Sequence, residues 1–247
     1  MINVILRKEF KMLFASPIAW ILLTLGQLIF TWAFLGRMDA FMELQPQLLQ
    51  LANPPGVTEV IISPLFALAA IVLLMITPIL AMRLFAEERR NHTLPLLMSA
   101  PVSIFDIVIG KFLGLLLFFL LIIVSIVVLC LSLLLGGTLD FGLLASNILG
   151  LILIAASFAA IGLYVSSLTA QPVVAALGSL GALLSFWIID FATDETHAWL
   201  HHFSLLKHFE RFNQGLIDTF SVAYFILLMV MCLTLTIHRL NVERLPH

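Results

Sequence analysis

Six stretches of this chain run for about twenty residues almost without an ionisable side chain, and that fixes the solvent in which it folds. A bilayer core about 30 Å thick is crossed by about 20 helical residues rising about 1.5 Å each. By that measure the spans fall at residues 18–36, 60–82, 112–135, 143–166, 172–189 and 220–238. Of the 247 residues, 62% are hydrophobic and 11% are Asp, Glu, Lys or Arg. A soluble domain carries about 25% of those charged residues, so the surplus apolar surface must face lipid. Lipid offers backbone groups no partner, and the runs lack the alternation of a barrel, so the spans are helices. The expected fold is an all-α integral membrane protein with six transmembrane helices in a single domain, residues 1–247.

Residues 1–16 read differently. Ile2, Ile5, Leu6, Phe10, Leu13 and Phe14 recur at helical spacing, with Asn3, Arg7, Lys8 and Lys11 on the other side. This predicts an amphipathic helix in the membrane interface, its cations placed for anionic lipids. Pro17 separates it from the first span. No small-x-small cleavage site follows residues 18–36, which argues for a retained span over a signal peptide. The positive-inside rule places both termini in the cytoplasm. Arg7, Lys8, Lys11, Arg83, Arg89, Arg90, Lys111, Arg239 and Arg244 then share the inner side, and Arg37, Lys207 and Arg211 the outer. Two loops are long: a cytoplasmic one at 83–111 and an external one at 190–219. Residues 37–59, with Pro46, Pro54 and Pro55, read as an extended connection with a short helix near 38–50.

Several chemistries are excluded. A net charge of −2 without a basic block argues against nucleic acid. Cys130 and Cys232 lie in apolar runs and read as packing residues. There is no GxxxxGK[ST] loop, since Phe105 stands where the first glycine before Gly110-Lys111 would be, and no HExxH or GxSxG motif. No ionisable group sits at mid-span, as ion-coupled carriers require. Milder polar residues remain in the spans. Gln27, Thr77 and Asn147 are candidates to line a pathway, against the commoner reading of interhelical hydrogen bonds. Gly110 with Gly114, and Gly178 with Gly181, permit close helix approach.

The most informative segment is FAEERRNHTLPLLMSAPVSIFDIVIGKFLGLL, residues 85–116. A charged cluster, Glu87 to Arg90, precedes a short apolar helix at 94–98, which Pro101 stops. Ser103 is placed to cap the next helix, with Asp106 in its first turn. An apolar helix flanked by charge reads as a docking element for another protein; the alternative is a solvated loop between two spans, which Leu94, Leu96, Leu97 and Met98 together disfavour. The segment resembles the ABC-2 type transporter permeases, particularly the gliding-motility-type branch, whose pattern is close to E-E-[RK]-x-x-G-T-L-E-L-L-x-[ST]-x-P-V-S followed by G-K. Glu87, Glu88, Arg89, Thr93, Leu94, Leu96, Leu97, Ser99, Pro101, Val102, Ser103, Gly110 and Lys111 match it. His92 stands where the family has glycine, and Pro95 where it has glutamate. Residues 7–10 with 16–19, 162–171 and 209–218 are similar to further family segments.

The resemblance implies an ABC-2 (type V exporter-like) permease fold in the bacterial inner membrane. It implies a non-enzymatic subunit that couples ATP hydrolysis by a separate ATP-binding subunit to substrate movement, in the direction of export. ATP and Mg would be bound by that partner, and no cofactor by this chain. A second permease copy or a homologous permease would complete the core, with a periplasmic or membrane-anchored auxiliary subunit as a further partner. The coupling contacts would be Glu87, Glu88, Arg89, Arg90, Thr93, Leu94, Leu97 and Pro101. The alternatives are a non-transporting anchor that passes ATPase cycles to an external complex, and an ATP-independent secondary carrier. In the external loop, His197 and His201 have the i, i+4 spacing of a transition-metal pair. His202 and His208 lie nearby, and an interfacial helix with its histidines facing water is the favoured alternative.

Overall fold

The computed structural model describes residues 2–48, 56–94, 102–135, 139–192 and 204–244. Those residues are helical throughout apart from short connections. Helix α1 (Ile2–Ala15) meets α2 (Pro17–Leu48) at a bend on Ser16. There Ser16 Oγ accepts from the Ile18 amide, and Trp20 Nε1 donates to the Phe14 carbonyl at 3.0 Å. A π-helical turn (Thr58–Ile62) leads into α3 (Ser63–Ala81), followed by the short α4 (Ala86–Arg90). Next come α5 (Ile104–Leu131), α6 (Phe141–Leu168), α7 (Pro172–Ala192), α8 (Leu205–Asn213) and α9 (Thr219–Arg244).

By length and composition five helical segments can cross a membrane: Pro17–Pro46, Thr58–Arg90, Ile104–Leu135, Phe141–Leu168 and Thr219–Arg244. Within α7 the apolar part, Pro172–Ile188, is shorter. Helix α6 is the centre of the bundle and touches α3, α5, α7, α8 and α9. Among its buried residues is a run of small ones, Ala155, Ala156, Ser157, Ala159, Ala160 and Gly162, interleaved with Ile154, Phe158 and Ile161. Small side chains let helix backbones approach where lipid supplies no hydrophobic drive. A Cβ on Gly162 would stand 2.7 Å from Ala81 Cβ. At the periphery lies α2, which presents Trp20, Leu28 and Trp32 outward.

Three boundaries differ from the sequence reading. The connection expected over 37–59 is helical as far as Leu48, because Met38 and Phe41 pack against the core and draw the helix onward. The helix of the third span extends back from 112 to Ile104, the start that the Ser103 cap announces; Ser103 Oγ accepts from the Asp106 amide at 3.0 Å. That places Lys111 inside a helix rather than at the end of a loop. The charged cluster at 87–90 is itself wound into α4. The apolar helix expected at 94–98 falls almost wholly outside the described residues, and only Leu94 is seen, buried.

Candidate functional site

One end of the bundle gathers α1, the end of α3, α4, the start of α5 and the ends of α6 and α9. Its centre is Lys111, whose side chain is 0% exposed. Its ammonium lies 2.7 Å from Glu88 Oε1 on α4 and 3.0 Å from Glu9 Oε1 on α1, and 5.3 Å above the Phe85 ring. Lys8 adds a second cation, 3.9 Å from Glu88 and 4.0 Å from Glu9. The buried Lys111 is thus paired with two carboxylates, which the half-exposed Lys8 also faces, and such pairing is what lets charge be held out of water. A lysine also suits the place because its long stem carries the charge past apolar neighbours.

Glu9 reaches Lys111 because α1 lies directly on α5. Ile5, Glu9 and Leu13, one turn apart, are the buried residues of α1, while Asn3, Arg7, Lys8 and Lys11 are exposed. The contact is close enough to require glycine on α5. A Cβ on Gly110 would meet Ile5 Cγ2 at 2.6 Å, and one on Gly114 would meet Glu9 Cβ at 2.9 Å.

Helix α4 is fixed from below and closed at its end. The Phe85 and Ala86 amides both donate to Ser166 Oγ of α6 at 3.2 Å, which satisfies two of the helix's free N–H groups. At the other end Thr93 N donates to Glu88 O at 2.9 Å and His92 N to Arg89 O at 3.1 Å. Between them His92 adopts φ +55°, in the left-handed region. This is the double-bonded helix stop whose left-handed residue is most often glycine. Arg83 joins the elbow and the loop, donating from Nη1 to Ser16 Oγ at 2.7 Å with Nε 3.9 Å from Glu87. A cavity of about 780 Å³ opens between α1 and α4, lined by Lys8, Met12, Arg83, Glu87 and Glu88 among others.

The expected coupling residues therefore separate. Glu88 and Arg89 point into the protein, Arg89 towards Glu243 of α9 at 2.8 Å. Glu87 is half-exposed, Arg90 and Thr93 are exposed, and Leu94 is buried. Leu97 and Pro101 lie outside the described residues. Lys111 completes the site together with Glu9, Ser166 and Glu243, and these last three do not stand out in the sequence. The one usable signal was Lys111, a lone cation leading an apolar run.

The candidate pathway residues lie on three different helices, α3, α6 and α2. Thr77 is buried with its hydroxyl donating to Leu73 O, Asn147 is buried and donates to Leu143 O, and Gln27 is half-buried on α2. At the opposite end of the bundle, α8 is seated on α6. Ser146 Oγ donates to Phe212 O at 2.8 Å and Ser63 Oγ to Asn213 O at 3.0 Å, which occupies carbonyls at the helix's C-terminal end. A Cβ on Gly150 would stand 2.6 Å from Phe212 Cβ. His208 is buried against Ser221, at 2.9 Å, and stacks on Tyr224. His197, His201 and His202 lie outside the described residues. Among the described residues no group of three His, Cys, Asp or Glu is placed to hold a metal.

The model of the ABC-2 family transporter protein matches residues 3–241, nearly the whole chain. The chain belongs to the ABC-2 transporter family. ABC-2 proteins are membrane components of ABC transporters and normally work with a cytoplasmic ATP-binding subunit. This ABC-2 protein is accordingly a multi-pass membrane permease, and its charged junction lies at one end of the bundle. No curated protein matches its sequence.

Proposed function

We propose that this chain is the six-span permease subunit of an ATP-driven exporter in the bacterial inner membrane, with α7 as the fifth span and the junction around Lys111 facing the cytoplasm. Nine of the twelve Lys and Arg residues cluster at that end, in keeping with the positive-inside rule. Helix α1 lies along the inner leaflet with its basic face towards headgroups. The segment from Glu87 to Pro101 docks on a separate ATP-binding subunit, which holds ATP and Mg, and a second permease copy or a homologous permease completes the pore.

The observation that carries this reading is the Lys111 junction. It ties the docking segment, through Glu88, to an interfacial helix and to a membrane-crossing helix at once. Force applied to α4 therefore reaches α5 and α1 without crossing a flexible link. Nucleotide binding can shift the permease between states only through contacts that differ between them, and α4 supplies such contacts.

The test is co-purification of the chain with its ATP-binding partner, followed by hydrolysis assays in lipid vesicles. Arg90→Glu, at an exposed position of the segment, should reduce permease-stimulated hydrolysis by about tenfold or more by reversing a charge offered to the partner, while the permease still inserts. Unchanged complex formation and stimulation in that variant would sink the assignment. Hydrolysis coupled to no cargo movement would favour the anchor reading.

A further inference from the structure

Both ends of the segment between α4 and α5 are held by the last turn of α9. On the α4 side, Arg89 Nη2 sits between the two oxygens of Glu243, at 2.9 Å and 2.8 Å. On the α5 side, Arg244 Nη1 donates to the Val102 carbonyl at 3.3 Å. The two anchors are adjacent in sequence, whereas Arg89 and Val102 stand at opposite ends of the docking segment. Glu243 is itself steadied one turn earlier by Arg239 Nε at 3.4 Å. An ion pair at the edge of the bundle, still partly open to water, adds little to folding stability. Two neighbouring anchors do something else: they hold Arg89 of α4 and Val102, just before α5, to one turn of one helix.

Resting on the reading of residues 87–101 as the ATPase-docking segment, we propose that Glu243 and Arg244 are positioning residues for energy coupling. They act through Arg89 and Val102. The final turn of α9 holds α4 and the start of α5 to one rigid element, so that a push on α4 by the ATP-binding subunit is passed to α5 and α9 together. The sequence hides this role, because the basic tail reads only as a topology signal.

The experiment uses the full chain co-purified with its ATP-binding subunit and returned to vesicles of bacterial lipid. Glu243→Gln should lower stimulated kcat by about threefold to tenfold and leave KM for ATP within about twofold, since the nucleotide site is untouched. The ATP-binding subunit should stay bound. Reversing the pair, Arg89→Glu with Glu243→Arg in an Arg239→Gln background, should recover most of the lost rate. Arg244→Ala tests the second anchor alone and should give a smaller loss in the same direction. It keeps the proposal testable if Glu243→Gln fails to fold.

Wild-type stimulation in both Glu243→Gln and Arg244→Ala would overturn the inference and leave the permease reading intact. Release of the ATP-binding subunit by Glu243→Gln would also overturn it, by making Glu243 a docking contact. A single-variant loss that the reversed pair does not recover would do the same. If the unaltered chain neither retains nor stimulates an ATP-binding subunit, the functional reading itself fails.

Discussion

Lys111 and Glu88 meet at 2.7 Å although one belongs to α5 and the other to α4, and the lysine is wholly out of solvent. Removing one member of such a group strands the others without water. Lys111→Met should destabilise the protein by about 3–5 kcal/mol, because Glu9 and Glu88 are then left as buried carboxylates without their partner. The triple change Lys111→Met, Glu9→Gln and Glu88→Gln should recover much of the loss. Thermal unfolding in detergent reads both. Equal midpoints for Lys111→Met and the unaltered chain would show that the group carries no strain.

Gly110→Ala and Gly114→Ala should each push α1 away from α5. The added carbon meets Ile5 or Glu9 below 3.0 Å, and overpacking of this kind costs about 1–3 kcal/mol. A cysteine placed at Ile5, in a chain whose Cys130 and Cys232 are changed to alanine, should react faster with a maleimide when Gly110 is alanine. Gly181→Ala, with nothing within 4 Å of the added carbon, should leave that labelling rate unchanged.

His92→Gly should strengthen the end of α4. A non-glycine residue in the left-handed region costs about 1–2 kcal/mol, partly offset by the greater freedom of glycine in the unfolded chain. The net gain expected is up to about 1 kcal/mol. Slower amide exchange at Thr93, whose N–H closes the stop, is the measurement. Faster exchange would mean that the imidazole itself supports the turn.

At the far end, Gly150→Ala should lift α8 from α6, because Phe212 Cβ lies 2.6 Å from the added carbon. Ser146→Ala removes one donor to an α8 carbonyl and should act more weakly, by about 0.5–1.5 kcal/mol. Limited proteolysis of protein in detergent should cut between α8 and α9 sooner in Gly150→Ala. An unchanged cleavage rate would show that α8 relaxes without losing its seat.

Local chemistry was legible in the sequence and distant pairing was not. Ser103 beside Asp106, Pro17 after Ser16, and the Gly110–Gly114 spacing each announce their role within a few residues, and each is met in the structure. Glu9 was not legible, because its meaning depends on Lys111, which lies on another helix. Arg89 and Glu243 are hidden for the same reason. The helix near 38–50 was read as a separate short element in an extended connection, whereas it continues α2 as far as Leu48, since a proline near a helix end removes little. His92 was noted as a departure from glycine, and only its backbone angle shows what that departure costs.

The 26 residues of α9 form a helix about 39 Å long. Its first turns hold His208 through Ser221 and Tyr224, and its last turn holds Arg89 and Val102. One stiff lever is thus fastened to the far-side helix α8 and to the α4 loop. A tilt of about 10° around its midpoint would carry each tip by about 3 Å, in opposite directions, given that length. That is comparable with a hydrogen-bond length, so even a modest rocking of this lever must break the attachment at one tip or drag its neighbour along.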